Sequence, residues 1–270
     1  MPLPPPLAVV ESFGGEGAPS PLTGGRGSAW RVGQLVLRPV DHGEPPLDWQ
    51  RDVLGSIADD GFRVSLPCTT LGGELESGGW CAWQLVEGAH EEGRWREIIA
   101  VGERFHRAIS DVPEPAFVAE RSDPWAIGDR VAWGELEADR FAGVAHVPDL
   151  AAARRMLDAP RQLVHGDLTG NVLFAEGLAP GIIDFSPYWR PPSYASAVVV
   201  ADALVWEGAD ESLLDAVAHV PRFPQFLVRA LIMRIVVDRL FREAQPTHAD
   251  DRDPFSNAVG LACRLAASEP

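Results

Sequence analysis

Apolar positions along the chain follow two periods, and the change of period divides it. Between Pro21 and Pro39 apolar and polar residues alternate in short runs. A glycine cluster at Gly24, Gly25 and Gly27 and a further Gly33 interrupt them, which predicts three antiparallel strands. Pro45-Pro46 stops the last strand. Trp49, Val53, Leu54 and Ile57 then fall at helical spacing, predicting a helix over 47–60 that ends before Gly61. Phe62 to Thr70 and Trp80 to Val86 read as two more strands. The first 20 residues, rich in Pro and Gly with one apolar patch at Leu7 to Val10, read as a partly flexible leader.

At Glu87-Gly88 the chain becomes charged and glycine-bearing, which places a domain boundary there: a β-rich lobe over 21–87 and a mainly helical lobe over 88–270. Trp95, Ile98, Ile99, Gly102, Phe105 and Ile109 step by three and four, predicting an amphipathic helix. A second long helix is expected from about Pro224 to Glu243, with Arg234, Asp238 and Arg242 four apart along one stripe. The longest apolar stretch, Ala195 to Ala201 with Ser196 inside it, falls far short of the roughly 20 residues of a membrane-spanning helix. The first basic residue is Arg26, so the start lacks the charged and apolar regions of a secretory signal, and a cytoplasmic location is expected.

Composition narrows the function classes. An apolar content of 46% with 23% charged residues excludes a disordered chain and implies a large core. All 23 basic residues are arginine, so chemistry that requires a lysine is excluded. The net charge of -16 repels phosphate backbones and anionic membranes, which leaves nucleic acid and membrane as unexpected partners and favours a cationic small molecule. Cys68, Cys81 and Cys263 form no Cys-x-x-Cys pair and read as small buried hydrophobes rather than disulfides or zinc ligands.

Chemistry concentrates in Leu163-Val164-His165-Gly166-Asp167-Leu168-Thr169-Gly170-Asn171-Val172-Leu173-Phe174 and in Gly181-Ile182-Ile183-Asp184-Phe185. Two short apolar runs each carry polar groups at one end. Carboxylates and an amide clustered in a low-dielectric pocket need a cation or hydrogen-bond donors. Magnesium supplies that compensation: it takes hard oxygen ligands, usually one or two carboxylates plus substrate phosphates, which suits Asn171 and Asp184. Asp167 then remains to orient a hydroxyl nucleophile.

His-Gly-Asp, an Asn shortly after it and an apolar pair ending in Asp-Phe resemble the catalytic core of the aminoglycoside phosphotransferase and choline kinase-like enzymes, relatives of the protein kinases. The likeness covers Pro21 to about Phe241, and is nearest to a little-characterised bacterial branch. It implies an α+β, bilobal protein-kinase-like fold: a small antiparallel β lobe with one helix and a larger, mainly helical lobe. It further implies that Asp167 is the catalytic aspartate, that Asn171 and Asp184 are the metal ligands, and that His165 braces the loop. On the same resemblance, the turn from Gly24 and Gly25 through Gly27 and Ser28 covers the ATP phosphates, and Gln84, Val86 and Gly88 belong to the hinge that meets adenine.

Three departures accompany the match. Three residues separate Asp167 from Asn171 where the protein-kinase loop has four, so either Gly170 gives the backbone a tighter path, the favoured expectation, or Asn171 does not touch the metal. Arg38 stands at the strand position of the family's phosphate-binding lysine, with Asp52, or alternatively Asp48, as its acidic partner; the forked guanidinium is not a conservative replacement. Ser186 replaces a glycine, and the stiff Pro187 to Pro192 segment makes Trp189 and Arg190 candidate substrate contacts. The acidic Asp202 and Glu207, with the run His248 to Asp253, are candidates to receive an amine-bearing substrate.

The reading that results is an ATP- and magnesium-dependent phosphotransferase that moves the gamma phosphoryl group to the hydroxyl of a small molecule. The alternative is a catalytically impaired, nucleotide-binding pseudokinase that acts as a binding or regulatory module. A hydrolase with Asp167 or Ser186 as nucleophile is disfavoured, because no Gly-x-Ser-x-Gly sequence occurs and no histidine lies near Ser186 in sequence.

Overall fold

The structure, a computed structural model, describes residues 3–22, 27–41, 43–58, 61–244 and 253–269. The chain forms two compact units. One consists of 1–90 together with 171–185, the other of 91–170 and 186–270. The break between the units falls after His90, three residues beyond the expected boundary at 87/88, and the segment carrying Asn171 and Asp184 groups with the β-rich unit.

The first unit is built on an antiparallel sheet with the strand order Ser20–Pro21, Trp30–Val32, Leu35–Pro39, Trp80–Gln84 and Pro67–Cys68. Glu76–Ser77 pairs with Trp80–Gln84 as well. In Trp30–Val32 the outer two side chains are buried and Arg31 is exposed, the two-residue period that the sequence displays. The helix Leu47–Gly55 stops five residues short of the predicted end. Phe62 to Thr70 is not one strand but two short ones. Pro67–Cys68 joins the main sheet, whereas Arg63–Val64 lies parallel to Gly181–Ile182, which pairs antiparallel with Val172–Leu173. That second sheet draws 171–185 into this unit.

The leader is not a loose tail. Leu7–Ser12 is a helix, and Val9, Val10 and Phe13 share a buried cluster with Val32, Leu37 and Ala82. Removing these side chains from water offsets the entropy cost of ordering the proline- and glycine-rich flanks.

The second unit is mainly helical. The helices Trp95–Ala108, Ala116–Glu120, Pro124–Trp133, Val147–Ala153, Pro192–Trp206, Phe223–Ala244 and Ser256–Ala267 accompany a two-stranded antiparallel ribbon, Gln162–His165 with Pro187–Arg190, against which the first, second and fifth of them pack. Its core is the pair Pro192–Trp206 and Phe223–Ala244, buried without a break over Tyr194 to Ala203 and over Gln225 to Val237. Pro124–Trp133 shows local signals at both ends. Asp123 accepts the Ala126 N–H, Pro124 opens the first turn, and Gly134 closes the helix in the left-handed region. Among the described residues no helix is long and apolar enough to cross a membrane, and the three cysteines are free.

Candidate functional site

In the first unit, Arg38 lies on Leu35–Pro39 and its guanidinium closes on Glu44, Nη1 to Oε1 at 2.9 Å and Nη2 to Oε2 at 2.7 Å. Nη1 also reaches Asp184 Oδ1 at 3.4 Å, and the guanidinium carbon stands 5.1 Å from the Trp83 ring centre. The carboxylate that pairs with Arg38 thus comes from the loop before the helix. Asp52 instead pairs with its neighbour Arg51 at 2.9 Å and is largely exposed, and Asp48 accepts the N–H of Trp49. Neither of the two predicted partners is the one found, because the loop brings Glu44 within reach first.

The strand pairing of Val172 with Ile182 and the hydrogen bond from the Ile183 N–H to the Asn171 carbonyl, 3.0 Å, place Asn171 and Asp184 at the same end of one hairpin. Asp184 has a left-handed backbone, φ 51°, which costs about 1 kcal/mol or more for a residue other than glycine. Its side chain is 58% exposed. The next residue, Phe185, stacks on Trp49 of the Leu47–Gly55 helix with ring centres 6.0 Å apart, fixing the loop that carries the carboxylate.

The remaining residues predicted in this unit are placed as follows. Gly24 and Gly25 lie outside the described residues. Gly27 and Ser28 belong to the loop between Ser20–Pro21 and Trp30–Val32, closed by the Leu22 N–H on the Ala29 carbonyl at 2.9 Å. Gln84 donates its N–H to Leu66 and accepts the Ser65 hydroxyl, which places it at the end of the sheet, where the link to Gly88 begins. Val86 is buried. Gly88 has φ 134°, and a Cβ there would stand 2.7 Å from the Phe174 carbonyl, so the chain passes too close for any larger residue.

In the second unit, Asp167 follows the ribbon strand Gln162–His165 and is held from two sides. The His165 ring accepts the Asp167 N–H on Nδ1 at 3.2 Å, which is the brace the motif implies. Arg234 donates from Nη2 to Asp167 Oδ1 at 2.7 Å. His106, buried beneath, accepts the His165 N–H at 3.1 Å. Burial, reinforced electrostatically by the neighbouring His165 ring, pushes the His106 pKa down to about 3, so the His106 ring is neutral. Gly170 takes φ 80°, the left-handed path that lets three residues connect Asp167 to Asn171. The Asp167 side chain remains 37% exposed.

Three of the predicted substrate contacts are used internally. Arg190 is 6% exposed and forks onto Asp129 (Nε to Oδ1 3.1 Å, Nη2 to Oδ2 2.5 Å) and onto Glu135 (2.7 and 2.8 Å). Burial drives the Asp129 pKa upward against the pull of Arg190, while Arg190 and Arg161 draw Glu135 down despite its partial burial. Asp202, 5% exposed, receives two hydrogen bonds from Arg234, Nε to Oδ1 at 2.7 Å and Nη2 to Oδ2 at 2.6 Å. Glu207 accepts the indole N–H of Trp95. Trp189 is half-buried on its ribbon strand, opposite Leu163. Of the acidic run further on, Asp253 holds His146 at 2.7 Å and Ser256 at 2.6 Å; the stretch from His248 to Arg252 lies outside the described residues. Sequence reasoning missed Glu44 and the role of Arg234. A charge inside the apolar run of a buried helix was the available signal for the second.

The donor set offered by Asn171 and Asp184, an amide oxygen and a carboxylate, fits magnesium, which draws its remaining oxygens from phosphates and water. Among the described residues no cluster of three or more His, Cys, Asp or Glu forms a protein-only metal cage.

Several solved structures share the fold. A thermostable mutant of aminoglycoside phosphotransferase APH(4)-Ia, in ternary complex with ADP and hygromycin B, is 15% identical over 97% of this chain and 98% of that one, with a TM-score of 0.57. Spectinomycin phosphotransferase APH(9)-Ia, in complex with ADP and spectinomycin, gives 13% identity over 93% and 92%, TM-score 0.55. Choline kinase LicA from Streptococcus pneumoniae gives 11% identity over 96% of each chain, TM-score 0.59. At these identities the likeness establishes the protein-kinase-like fold. No curated protein sequence matches the chain. The model of the phosphotransferase enzyme family, APH, matches residues 20–214, a span that takes in the Arg38 strand, the His165 to Asn171 loop and Asp184. A match over so much of the chain, on the fold just described, shows that the protein belongs to the phosphotransferase enzyme family.

Proposed function

We propose that the protein is an ATP-dependent kinase of small molecules that transfers the gamma phosphoryl group to a substrate hydroxyl. The observation that carries this reading is the setting of Asp167: a partly exposed carboxylate whose backbone is tied to the His165 ring and whose Oδ1 is held by Arg234. A carboxylate fixed in this way can accept a proton along a defined direction.

The acceptor hydroxyl oxygen bonds to the gamma phosphorus as the bond from that phosphorus to the bridging oxygen breaks. ADP leaves with the electron pair, and the hydroxyl proton passes to Asp167. Little covalent work falls to the protein, so catalysis is positioning and charge neutralisation. Arg38 supplies a guanidinium for the phosphates, its orientation set by Glu44 and by the Trp83 ring face. Asn171 and Asp184 would hold magnesium, which when bound neutralises charge on the phosphates. The turn ending in Gly27 and Ser28 and the link from Val86 to Gly88 serve the phosphates and the adenine on this reading. Asp202 and Glu207 are engaged inside their own unit, so this reading rests on the acceptor's hydroxyl and not on those two carboxylates, whether or not the acceptor carries an amine. Trp189 keeps its place as a candidate contact.

Calorimetric titration with ATP tests the reading. Wild-type protein should bind ATP tightly with magnesium and weakly without it, and Asp184→Asn should remove the difference. Equal affinity of the wild type for free and magnesium-bound ATP would contradict it.

A further inference from the structure

We infer that Arg234 is a positioning residue for the reaction: it aims the Asp167 carboxylate, using Asp202 as its anchor. The inference rests on the reading of Asp167 as the group that accepts the hydroxyl proton.

The argument begins with a charge in the wrong kind of place. Arg234 sits in the middle of the Phe223–Ala244 helix, within a stretch that is buried from Gln225 to Val237, and is itself 9% exposed. Asp202 sits in the equally buried Pro192–Trp206 helix. Burial works against a charged guanidinium, but the Asp202 and Asp167 carboxylates together outweigh it and hold Arg234 well above its ordinary pKa. Burial pushes Asp202 the other way, upward, with Arg234 opposing. A buried pair of this kind is weak evidence for stability, since apolar residues would fill the same space at no greater cost.

The geometry gives the pair another use. Nε and Nη2 grip the two oxygens of Asp202 as a fork, which fixes the plane of the guanidinium. Nη2 carries two hydrogens. With one spent on Asp202, the direction of the other is determined, and it meets Asp167 Oδ1 at 2.7 Å. The Asp167 backbone is fixed independently by the His165 ring. Asp167 is therefore held at its backbone and at its carboxylate, and one of the two oxygens is assigned to Arg234. A lysine could supply the charge but not the fork.

The test is a double-mutant cycle on magnesium-ATP turnover with water as the acceptor, read as ADP release. Arg234→Lys should lower kcat by about 10², the effect of a misplaced catalytic group, and leave KM for ATP unchanged. In an Asp167→Asn background the same substitution should produce no further fall, because there is no longer a base to aim. Asp202→Asn, which weakens the anchor and keeps the guanidinium, should lower kcat in the same background-dependent way; it serves if Arg234→Lys fails to fold. A wild-type kcat in both variants, or equal losses with and without Asp167, overturns the positioning role. A wild-type rate left untouched by Asp167→Asn alone overturns the reading of Asp167, and the inference with it.

Discussion

Arg38 and Glu44 meet as a two-pronged ion pair, at 2.9 and 2.7 Å, on the strand and the following loop of the same unit. The resemblance led to a helix-borne aspartate at this place; the chain uses a glutamate six residues on instead. An arginine held by both prongs is fixed in orientation as well as in place, and its Nη1 extends to Asp184 at 3.4 Å. The broad guanidinium and the unusual origin of its partner are thus a matched pair.

Glu44→Gln removes the closer of that guanidinium's two charged partners and leaves Asp184. Magnesium-ATP affinity measured by calorimetry should fall about tenfold, in keeping with the loss of a charge-assisted hydrogen bond. Asp52→Asn should leave it unchanged. The reverse pattern would restore Asp52 as the partner and remove Glu44.

Arg190 is the centre of a buried ion cluster with Asp129 and Glu135, so its replacement should be felt in stability. Arg190→Met strands two carboxylates and should cost about 3 to 5 kcal/mol in urea-induced unfolding. A variant of native stability with a raised KM for one acceptor would return Arg190 to the substrate contacts.

His106 makes folding sensitive to mild acid. Its pKa in the folded protein is about 3, below the value near 6.5 that an exposed histidine has in the unfolded chain. Between these values the unfolded chain binds a proton that the folded one does not. The stability His106 contributes is therefore complete above about pH 6.5 and is lost as pH falls toward 3, at about 1.4 kcal/mol per pH unit. His106→Gln, which can still accept the His165 N–H, should flatten the unfolding free energy between pH 6 and pH 4.5 by about that slope. Parallel curves for the two proteins would place the acid sensitivity elsewhere.

The leader is part of the core of its unit, so Phe13→Ala should destabilise the protein by about 3 to 5 kcal/mol, as aromatic truncations in a core do. A loss below about 0.5 kcal/mol, the scale of surface substitutions, would mean that the leader is dispensable.

Elements with a strong period were legible in the sequence. Trp95–Ala108 and Phe223–Ala244 follow the three-and-four spacing, and Trp30–Val32, Leu35–Pro39 and Trp80–Gln84 follow turn residues and alternation. The chemistry-bearing residues were legible as well, because His-Gly-Asp, Asn and Asp-Phe lie close together in sequence. Pairings between distant two-residue strands left no period to read. Gly181–Ile182 pairs with Arg63–Val64 across more than a hundred residues, so nothing local in the sequence signals that 171–185 groups with the β-rich unit. Partner choice was the other gap. Asp202 and Arg190 read as substrate contacts because a charge near the motif suggests a ligand. Their apolar neighbours, Tyr194 to Ala203 and the Pro187 to Pro192 segment, signalled burial, and a buried charge needs a partner within the protein. Val9, Val10 and Phe13 were masked by the prolines and glycines around them.

The central claim is that Asp167 accepts the proton of a small-molecule hydroxyl during phosphoryl transfer. Its most direct measurement is magnesium-dependent ADP release by wild type and Asp167→Asn across a panel of sugars, nucleosides, amino sugars and aminoglycosides. At least one acceptor should raise the wild-type rate above the acceptor-free rate, and Asp167→Asn should lower that rate by about 10² to 10³ while keeping the native fold. An ADP release rate that no acceptor raises, or an accelerated rate that survives in Asp167→Asn, would contradict the account.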